Sequence, residues 1–544
     1  MDAFDYIIIG AGSAGCVLAN RLTACGQYRV LLLEAGPEDS SPFIHMPAGV
    51  AALMHSKKLN WRFWTTPQKH LKNRIMFQPR GKTLGGSSSI NACVYIRGHS
   101  SDFDAWAAQG CEGWSYQDVL PYFKRSEHYE TDSQTATQAG PAISQFHGNN
   151  GPLNIAMPRS RNLLSHAFVQ AGLQAGHPHN HDFNGATQSG VGLYRAYHKG
   201  GQRCSNARAY LTPIRSRPNL TVVTDALTCK ILLEGKRATG LEYHHKGQMK
   251  QARAKREVLL CGGAFNSPQL LMLSGIGPRE ELQKHGIAVA HELPGVGTNL
   301  QDHLDVFLVM RTNNRLPISL HPLSWLRWLG GLLRYALQRR GELTSNLAEA
   351  GGFLRSDPSE PIEDLQLHMV PLTATRHALN LWPLFKTYAY SVMIYDLRPL
   401  SRGRISLNSA NPQDAPVIDP NYGSQQRDIS RLAKGVRAVR RIVQQAALAR
   451  FNHSEMAPGA HVQSDAALED WVRQTAETAY HPVGTCKMGI DETAVVDPQL
   501  KVRGIEGLRV VDCSIMPTIV GGNTNAAATM IAEKAADMIL GKRV

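Results

Sequence analysis

The stretch Tyr6-Ile-Ile-Ile-Gly-Ala-Gly-Ser-Ala-Gly15 decides the fold of this chain. Its apolar half predicts a short buried strand, and residues 13–22 predict a helix that follows a tight turn. In this order of elements the first glycine permits the turn, the second lets the backbone approach a pyrophosphate, and the third lets the helix pack on the strand. The N-terminus of the helix then faces the phosphates. The predicted cradle for a dinucleotide is formed by Gly10, Gly12, Ser13, Ala14 and Gly15.

A second apolar run, Val30-Leu-Leu-Leu33, ends at Glu34 and Ala35. Glu34 follows Gly15 by nineteen residues, which is the spacing at which a carboxylate accepts hydrogen bonds from an adenosine ribose. An acidic residue there disfavours a 2′-phosphate, so NADP is not expected. FAD and NAD both remain open on these residues.

Composition predicts a large globular enzyme. The chain has 544 residues, of which 43% are hydrophobic and 19% charged. Its nine cysteines form no C-x-x-C pair, so neither a disulfide framework nor a zinc or other metal site is indicated. The N-terminus enters the first strand within a few residues, and no apolar run reaches the length of a membrane span. We therefore expect a cytoplasmic protein without a metal.

A net charge of +14 raises the question of an anionic partner. Lys and Arg are dispersed and no nucleic-acid motif accompanies them, so an anionic lipid surface is a better candidate than nucleic acid. Residues 325–340 combine Trp and Leu with Arg327, Arg334, Arg339 and Arg340. This pattern predicts a basic amphipathic helix in peripheral contact with an anionic membrane surface. The alternative is a helix packed over the substrate pocket, with its arginines in water.

The predicted strands suggest a discontinuous organisation. Residues 220–223 and 231–233 predict short strands of a meander, and residues 257–261 predict a buried strand that returns toward the cradle. Residues 508–511, followed by Asp512, predict one more strand of this kind. The predicted fold class is therefore α/β, with a discontinuous Rossmann-like dinucleotide-binding domain, which is an FAD-binding domain if the cofactor is FAD, and a mixed α+β substrate-binding domain.

The expected domain boundaries follow from this pattern. We expect residues 1–305 to be mainly cofactor-binding, with an insert at about 155–205 that belongs to the substrate domain. Residues 306–465 are expected to form the substrate-binding domain. Residues 466–544 are expected to return to the cofactor domain and to carry the catalytic residues.

A third motif is Gly81-Lys-Thr-Leu-Gly-Gly-Ser-Ser-Ser-Ile-Asn-Ala-Cys-Val-Tyr95. Its glycines allow a close backbone approach, and its hydroxyl and amide groups can satisfy phosphate and ribityl oxygens. Clusters of Gly and Ser are also typical of flexible loops, but this one continues into an ordered, partly apolar stretch. Its predicted cofactor contacts are Gly85, Gly86 and Ser87.

Two motifs near the end of the chain indicate the chemistry. An alcohol gives up a hydride readily only when its hydroxyl proton is removed, and histidine is suited to accept that proton near neutral pH. His481-Pro-Val-Gly-Thr-Cys486 places an imidazole in a turn, and Gly522-Asn-Thr-Asn525 adds amide donors. Together with the cradle, this combination favours alcohol oxidation against a flavin.

These motifs resemble the glucose-methanol-choline (GMC) family of FAD-dependent oxidoreductases. Residues 81–95 match the first signature of that family, and Gly263-Ala-Phe-Asn-Ser-Pro-Gln-Leu-Leu-Met-Leu-Ser-Gly-Ile-Gly277 matches the second. With the cradle and the motif at His481, the resemblance covers essentially the whole chain. It implies an oxidoreductase with bound FAD.

The resemblance also implies where FAD would lie. Its adenosine would lie near Glu34, with the main chain near Thr228 at the adenine, and its pyrophosphate at the cradle. Asp512 would meet the ribityl or pyrophosphate region, and the flavin would lie beside Asn91, Ala92 and Val94. Family members with covalent flavin carry a histidine just before that asparagine, where this chain has Ile90. The resemblance therefore implies non-covalent FAD.

For the reaction, the resemblance implies that His481 is the base and Asn525 the second active-site residue. Asn525 would then donate a hydrogen bond to the developing alkoxide. The alternative for Asn525 is that it only forms the turn.

Stretches at 55–61, 364–368 and 396–404 resemble the alkane-pathway FAD-linked alcohol dehydrogenases, with the choline dehydrogenases as the nearest rival. The resemblance to the alkane-pathway enzymes implies oxidation of a primary aliphatic alcohol. It also implies that electrons pass to a quinone or another respiratory-chain acceptor at the inner face of the cytoplasmic membrane. Choline would require an aromatic cage or a carboxylate for its trimethylammonium group. A non-catalytic flavoprotein scaffold and an NAD-linked dehydrogenase are the remaining alternatives.

Overall fold

Two seven-stranded sheets organise the protein. The structure is a computed structural model, and it describes residues 3–131, 145–160, 162–374, 376 and 379–542. The first sheet carries the cradle at the ends of its strands, and the second sheet lies across a cavity from it.

The first sheet is built on parallel strands from distant parts of the chain. Ala3–Ile9 pairs in parallel with Val30–Leu33 on one side and with Gln248–Leu260 on the other. Leu508–Val510 then pairs in parallel with Gln248–Leu260. The cradle strands are buried and almost wholly apolar, as expected for parallel strands that are covered on both faces. The two ends of the chain therefore contribute to one sheet.

The predicted meander is shifted along the sequence. Leu220–Val223, which we expected to belong to it, instead pairs in parallel with Val30–Leu33 at the edge of the first sheet. The antiparallel meander comprises Ala226–Glu234, Arg237–His245 and Gln248–Leu260. A four-residue run cannot reveal by itself which strand it pairs with, because the pairing is decided by distant residues.

Two helices lock the ends of the chain together beside the first sheet. Ser13–Leu22 packs against Asn525–Leu540, which is buried along most of its length. The guanidinium of Arg21 donates to the carboxylate of Glu533 at 2.9 and 2.7 Å, and Arg125 also donates to this carboxylate. Because Glu533 is fully buried, these ion pairs are shielded from water. The turn that precedes the C-terminal helix is thereby brought to the cradle.

The second sheet is mainly antiparallel. Leu304–Arg311 pairs with Ala389–Asp396, which pairs with Leu365–Val370. One face of the sheet packs on Leu163–Gln174 and Gln426–Val443, whose buried residues form a common apolar core with it. The other face contributes Phe307, Val370, Met393 and Tyr395 to the cavity.

The two sheets draw on interleaved parts of the chain. Gly190–Leu193 belongs to the second sheet. Glu477–Thr478 also pairs with that sheet, although we assigned all residues after 465 to the cofactor domain. The chain therefore leaves the second sheet just before His481. The domain boundaries drawn from the sequence stay a prediction.

The helices of the described residues are Ser13–Leu22, Pro42–His45, Val50–His55, Ser100–Ala108, Tyr116–Ser126, Leu163–Gln174, Gly263–Leu273, Arg279–Lys284, Trp325–Gln338, Trp382–Lys386, Gln426–Val443, Ala446–Ala449, Asp465–Thr475 and Asn525–Leu540. The remaining strands of the second sheet are Ala350–Leu354 and Ser454–Ala457. Smaller sheets contain Phe63–Trp64, Phe77–Gln78, Glu127–Tyr129, Leu153–Ala156, Ala196–Lys199, Gln202–Arg203, Ile276–Gly277, His291–Glu292, Arg404–Ser406 and Val417–Asp419. In the described part of the chain, no helix has both the length and the apolar content needed to cross a bilayer.

Candidate active site

A cavity of about 410 Å³ lies between the two sheets. Most of the residues selected from the sequence line it. They include His481, residues of the motif 81–95 and residues of the turn 522–525. The predicted site residues that line the cavity are Gly10, Gly12, Ser13, Ala14, Glu34, Ala35, Gly86, Ser87, Asn91, Ala92, Val94, Thr228, His481, Asp512 and Asn525. Gly15 and Gly85 are not among the lining residues, but they pack against Gly10 and Ala11 of the cradle. The fold thus brings motifs from both ends of the chain to one cavity.

The three cradle glycines have different surroundings. A Cβ atom on Gly10, whose φ is +95°, would lie 2.6 Å from the carbonyl oxygen of Cys261. A Cβ on Gly15 would lie 1.9 Å from the carbonyl oxygen of Gly10. A Cβ on Gly12 would meet no atom within 4 Å, and Gly12 faces the cavity. Gly10 and Gly15 are therefore required by the packing of the protein itself, whereas Gly12 leaves room for a ligand.

The Gly- and Ser-rich loop packs directly on this cradle. The backbone N–H of Gly85 donates to the carbonyl oxygen of Ala11 at 2.7 Å. A Cβ on Gly86, whose φ is +52°, would lie 2.8 Å from the Cα of Gly12. The hydroxyl of Ser88 donates to the carbonyl of Gly85 at 2.6 Å. The loop is therefore an ordered wall of the cavity, not a flexible linker.

Glu34 is buried at the end of its strand. Its Oε2 accepts from the backbone N–H of Ala11 and its Oε1 from that of Gly36, both at 2.9 Å. Burial raises the pKa of this carboxyl to about 7, although both backbone donors favour the charged form. The carboxyl group therefore joins the strand to the cradle and also lines the cavity, where a ribose hydroxyl could reach it.

Polar atoms elsewhere in the cavity fit a long cofactor. Within the described residues, the buried Oγ1 of Thr228 and the buried Oδ1 of Asn346 have no hydrogen-bond partner. The Nδ2 of Asn346 donates to the carbonyl of Ala92 at 3.0 Å, beside the predicted flavin position. Buried polar groups without partners are costly, so a ligand with polar groups near both atoms fits. With the open side of Gly12, this arrangement fits FAD.

Asp512 has a structural task in addition to its place in the cavity wall. Its Oδ2 accepts from the backbone N–H of Gly263 at 2.9 Å and from the hydroxyl of Ser267 at 2.6 Å. Its Oδ1 accepts from the backbone N–H of Ser514 at 2.8 Å. Burial raises the pKa of Asp512 against these hydrogen bonds. Asp512 thus holds the start of helix Gly263–Leu273 against the cradle.

His481 is held at three points. Its backbone N–H donates to Oδ1 of Asp302 at 2.7 Å. Its Nδ1 lies 3.0 Å from Nδ1 of His303, and its Nε2 lies 3.2 Å from Nδ2 of Asn523. Contacts on both sides of the imidazole fix the plane of the ring, so the ring is oriented in the cavity.

The position of Asn525 differs from our expectation. Its Oδ1 accepts from the hydroxyl of Ser13 at 2.6 Å, and its Nδ2 lies 3.4 Å from Oδ1 of Asn206. Asn525 therefore ties the C-terminal helix to the cradle. The amide beside His481 belongs instead to Asn523, two residues earlier. The reason is that Asn525 opens the helix and faces the adjacent N-terminal helix, whereas Asn523 lies in the turn before it.

Sequence reasoning missed four residues of the site: Asp302, His303, Asn346 and Asn523. The acid–histidine pair at 302–303 lies directly before the apolar run of Leu304–Arg311, and that position was a usable signal. Asn346 lies in no recognisable motif. Asn523 was within the quoted turn, but spacing could not distinguish it from Asn525.

The far end of the cavity is mainly apolar, with His368, Thr373 and Asn380 as its polar members. Phe307, Leu381, Leu384, Met393 and Tyr395 line it. The acidic side chains that line the described cavity are Glu34 and Asp512, and both accept hydrogen bonds from backbone amides of the cofactor-side wall. The end of the cavity near the second sheet therefore suits a hydrocarbon chain.

Comparisons with known proteins agree with this geometry. Models described as "GMC oxidoreductase" match residues 4–305 and 399–532. The chain is 50% identical to an alcohol dehydrogenase (acceptor) of Pseudomonas putida, with 99% of this chain and 96% of that protein covered. It is 45% identical to the mitochondrial choline dehydrogenase of Mus musculus, with coverages of 99% and 90%.

A solved structure shows the same fold. The pyridoxine 4-oxidase from Mesorbium loti aligns with a TM-score of 0.88 at 31% identity, covering 99% of this chain and 100% of that one. The α/β fold class and the enzyme class are thereby confirmed, and the NAD-linked and non-catalytic alternatives are set aside. GMC oxidoreductases bind FAD, which confirms the predicted cofactor. The chain therefore belongs to the GMC oxidoreductase family.

Proposed function

We propose that this oxidoreductase converts a primary aliphatic alcohol to the aldehyde, with His481 as the base. The observation that carries this proposal is the contact between Nε2 of His481 and Nδ2 of Asn523 at 3.2 Å, in the cavity that also contains the cradle. A proton acceptor beside an amide donor suits the removal of a hydroxyl proton from a bound alcohol.

FAD, when bound, supplies the acceptor for the hydride that leaves the alcohol carbon. The cradle and Glu34 would hold its adenosine and pyrophosphate parts, and Asn91 and Asn346 would lie along the flavin part. Ile90, where a covalent attachment would need a histidine, lines the cavity and is buried. We therefore propose that the cofactor is non-covalent.

The protein's own groups handle the proton. His481 accepts the hydroxyl proton at Nε2. Asn523 donates an N–H hydrogen bond to the alcohol oxygen as negative charge develops there. The apolar end of the cavity holds the alkyl chain and excludes water. These three contributions position the carbon that is oxidised.

The lining of the cavity favours an aliphatic alcohol over choline. A trimethylammonium group requires a carboxylate or an aromatic cage. Of the tryptophans that could form a cage, Trp325 and Trp382 are exposed, and the ring of Trp61 is covered by the ammonium of Lys82 at 4.5 Å. A cation on the ring occupies the position that a trimethylammonium group would need.

Anaerobic titration of the FAD-loaded enzyme tests the substrate assignment. We expect 1-octanol to bleach the flavin absorbance completely and choline to bleach it slowly or not at all, because the apolar end of the cavity offers no counter-charge. Flavin bleached by choline alone would overturn the aliphatic assignment and establish the rival one.

We also propose a quinone as the electron acceptor. Reoxidation faster by air than by a water-soluble quinone analogue would contradict that part.

The two asparagines should differ in their effects. We expect Asn523→Ala to slow flavin reduction by octanol about 10²-fold, because it removes the donor to the developing alkoxide. Asn525→Ala should mainly weaken FAD retention, by about 10-fold, because it removes the hydrogen bond to Ser13. Stopped-flow absorbance and the ratio of flavin to protein measure the two effects separately. If Asn525→Ala instead slows flavin reduction and Asn523→Ala instead weakens FAD retention, the catalytic assignment returns to Asn525.

We also propose a peripheral contact with anionic lipid, at the inner face of the cytoplasmic membrane. Helix Trp325–Gln338 buries Tyr335 and presents its leucines outward, so that Leu326 is 85% and Leu337 81% exposed. Arg334 is also exposed, whereas Arg327 pairs with Glu342. An outward apolar face flanked by cations is typical of helices that lie in a membrane interface.

A second short helix extends this surface toward the cavity. In Trp382–Lys386, Leu384 lines the cavity while Trp382 is 62% exposed. The carbonyl of Leu384 accepts from the backbone N–H of Leu320, which precedes the longer helix. The apolar surface and the cavity therefore share a wall, so an alcohol dissolved in lipid has a short route to the site.

Vesicle sedimentation tests this contact. We expect Leu326→Glu combined with Leu337→Glu to weaken binding to phosphatidylglycerol-containing vesicles at least about 10-fold, because charged groups replace the apolar contact. Binding of the unchanged protein should fall with added salt and on vesicles of phosphatidylcholine alone. Met249→Glu, at an exposed methionine on the strand Gln248–Leu260, is the matched control. If the control and the double variant lose vesicle binding to the same extent, a specific lipid contact of this helix is contradicted.

A further inference from the structure

The dipeptide Asp302-His303 holds the proposed base by both its backbone and its ring. Asp302 accepts the backbone N–H of His481 at 2.7 Å, and its Oδ2 also accepts from Thr478 at 2.6 Å. Tyr422 donates to the same carboxylate. His303 faces the imidazole edge-on, with the two Nδ1 atoms 3.0 Å apart. Neighbouring residues therefore determine both where His481 sits and how its ring is turned.

A chain of hydrogen bonds determines which nitrogen of His481 carries the proton. The Nε2 of Gln366 donates to Oδ1 of Asn523 at 3.2 Å, which directs Nδ2 of Asn523 toward His481. Because Nδ2 is a donor only, Nε2 of His481 must be the acceptor. The proton of the neutral ring then resides on Nδ1. The atom facing Nδ1 is Nδ1 of His303, which then accepts a hydrogen bond from this N–H.

His303 is suited to this acceptor role because it is kept neutral. The side chain is fully buried. Burial, together with the charge of Arg398, lowers the pKa of His303 to about 3, while the backbone of Leu397 acts in the opposite direction. A protonated His303 would have no lone pair at Nδ1 and would repel the imidazolium that forms on His481. A neutral ring accepts a hydrogen bond from the Nδ1–H of His481 before and after the alcohol is deprotonated.

We propose that His303 is a positioning residue that selects the His481 tautomer with its proton on Nδ1 and its Nε2 lone pair on the side of Asn523 and the cavity. The inference rests on the proposed role of His481 as the base. His303 itself does not touch the substrate. Its function is comparable to that of the carboxylate in a catalytic triad, which holds the base histidine in the productive tautomer, but a neutral imidazole provides the acceptor here.

Paired substitutions at His303 separate hydrogen bonding from packing. His303→Asn places an amide oxygen near the position of Nδ1 and keeps an acceptor, whereas His303→Leu fills similar space without one. We expect His303→Leu to lower the limiting rate constant for flavin reduction by 1-octanol about 10²-fold with FAD retained. His303→Asn should recover that rate to within about 10-fold of the unchanged enzyme. If the leucine variant does not retain FAD, His303→Ala takes its place in the comparison.

Two further variants make the outcomes distinguishable. His198→Asn replaces an equally buried histidine for which no contact with His481 is seen, and we expect it to leave the rate unchanged. His481→Ala in the same series tests the proposed base. If His481→Ala is slow but His303→Leu and His303→Asn are equally fast or equally slow, the tautomer role is overturned while the base assignment stands. If His481→Ala reduces its flavin at the normal rate, the proposed function itself fails.

Discussion

Replacing His481 by alanine is expected to slow flavin reduction by octanol about 10³-fold to 10⁴-fold while FAD remains bound. The imidazole is the group that Asn523 and His303 orient in the cavity. Without it, the hydroxyl proton has no acceptor next to the carbon that loses the hydride. The backbone N–H of residue 481 would still reach Asp302, so the turn should keep its shape.

The measurement is anaerobic stopped-flow absorbance of the FAD-loaded variant, with the flavin-to-protein ratio recorded first. His368→Asn is the comparison, because His368 also lines the cavity but contacts Tyr395 on the second sheet. We expect its effect to stay below about 10-fold, since it removes no proton acceptor that contacts Asn523. A large loss in His368→Asn together with a normal rate in His481→Ala would reassign the base.

Substituting Gly12 by valine is expected to yield a folded protein that does not retain FAD. The backbone of Gly12 has a φ of −73°, which a residue with a side chain adopts without strain. A Cβ there meets no protein atom within 4 Å. The new side chain would instead occupy the space through which the pyrophosphate approaches the cradle. We expect FAD affinity to fall at least about 10²-fold, or roughly 3 kcal/mol, with all activity lost in consequence.

Flavin content after gel filtration and thermal unfolding of the apoprotein test this expectation together. Gly330→Ala is the matched control, because Gly330 also has nothing within 4 Å of a Cβ but lies in the exposed helix Trp325–Gln338. That change should keep FAD and stabilise the helix slightly. A Gly12→Val protein that purifies with a full complement of FAD would show that the cradle is not where the pyrophosphate binds.

Much of the cofactor site could be predicted from the sequence because local backbone geometry determines it. The order of strand, glycine turn and helix at residues 3–22 requires only neighbouring residues, and the structure reproduces it as Ala3–Ile9 and Ser13–Leu22. The same local reasoning placed Glu34 at the end of the next strand. The meander was placed less well, because Leu220–Val223 pairs with a strand that lies almost two hundred residues earlier.

The surroundings of the base were the part that local reasoning could not supply. Asn523 and Asn525 are equally good amide donors in the same turn, and only the packing of the C-terminal helix on the cradle shows that Asn525 faces Ser13. His303 lies 178 residues from its partner His481. Such contacts form because the second sheet carries Leu304–Arg311 and Glu477–Thr478 side by side.

The sequence by itself determined the α/β class, the dinucleotide cradle, the family resemblance and the identity of the proposed base, since each depends on residue types at short, fixed spacings. Only the tertiary structure decided which asparagine stands beside His481, which histidine lies next to its Nδ1, and that the short helix Trp382–Lys386 lines the cavity with Leu384 while it exposes Trp382. These features depend on which distant surfaces are buried against one another, and burial is a property of the whole packed chain.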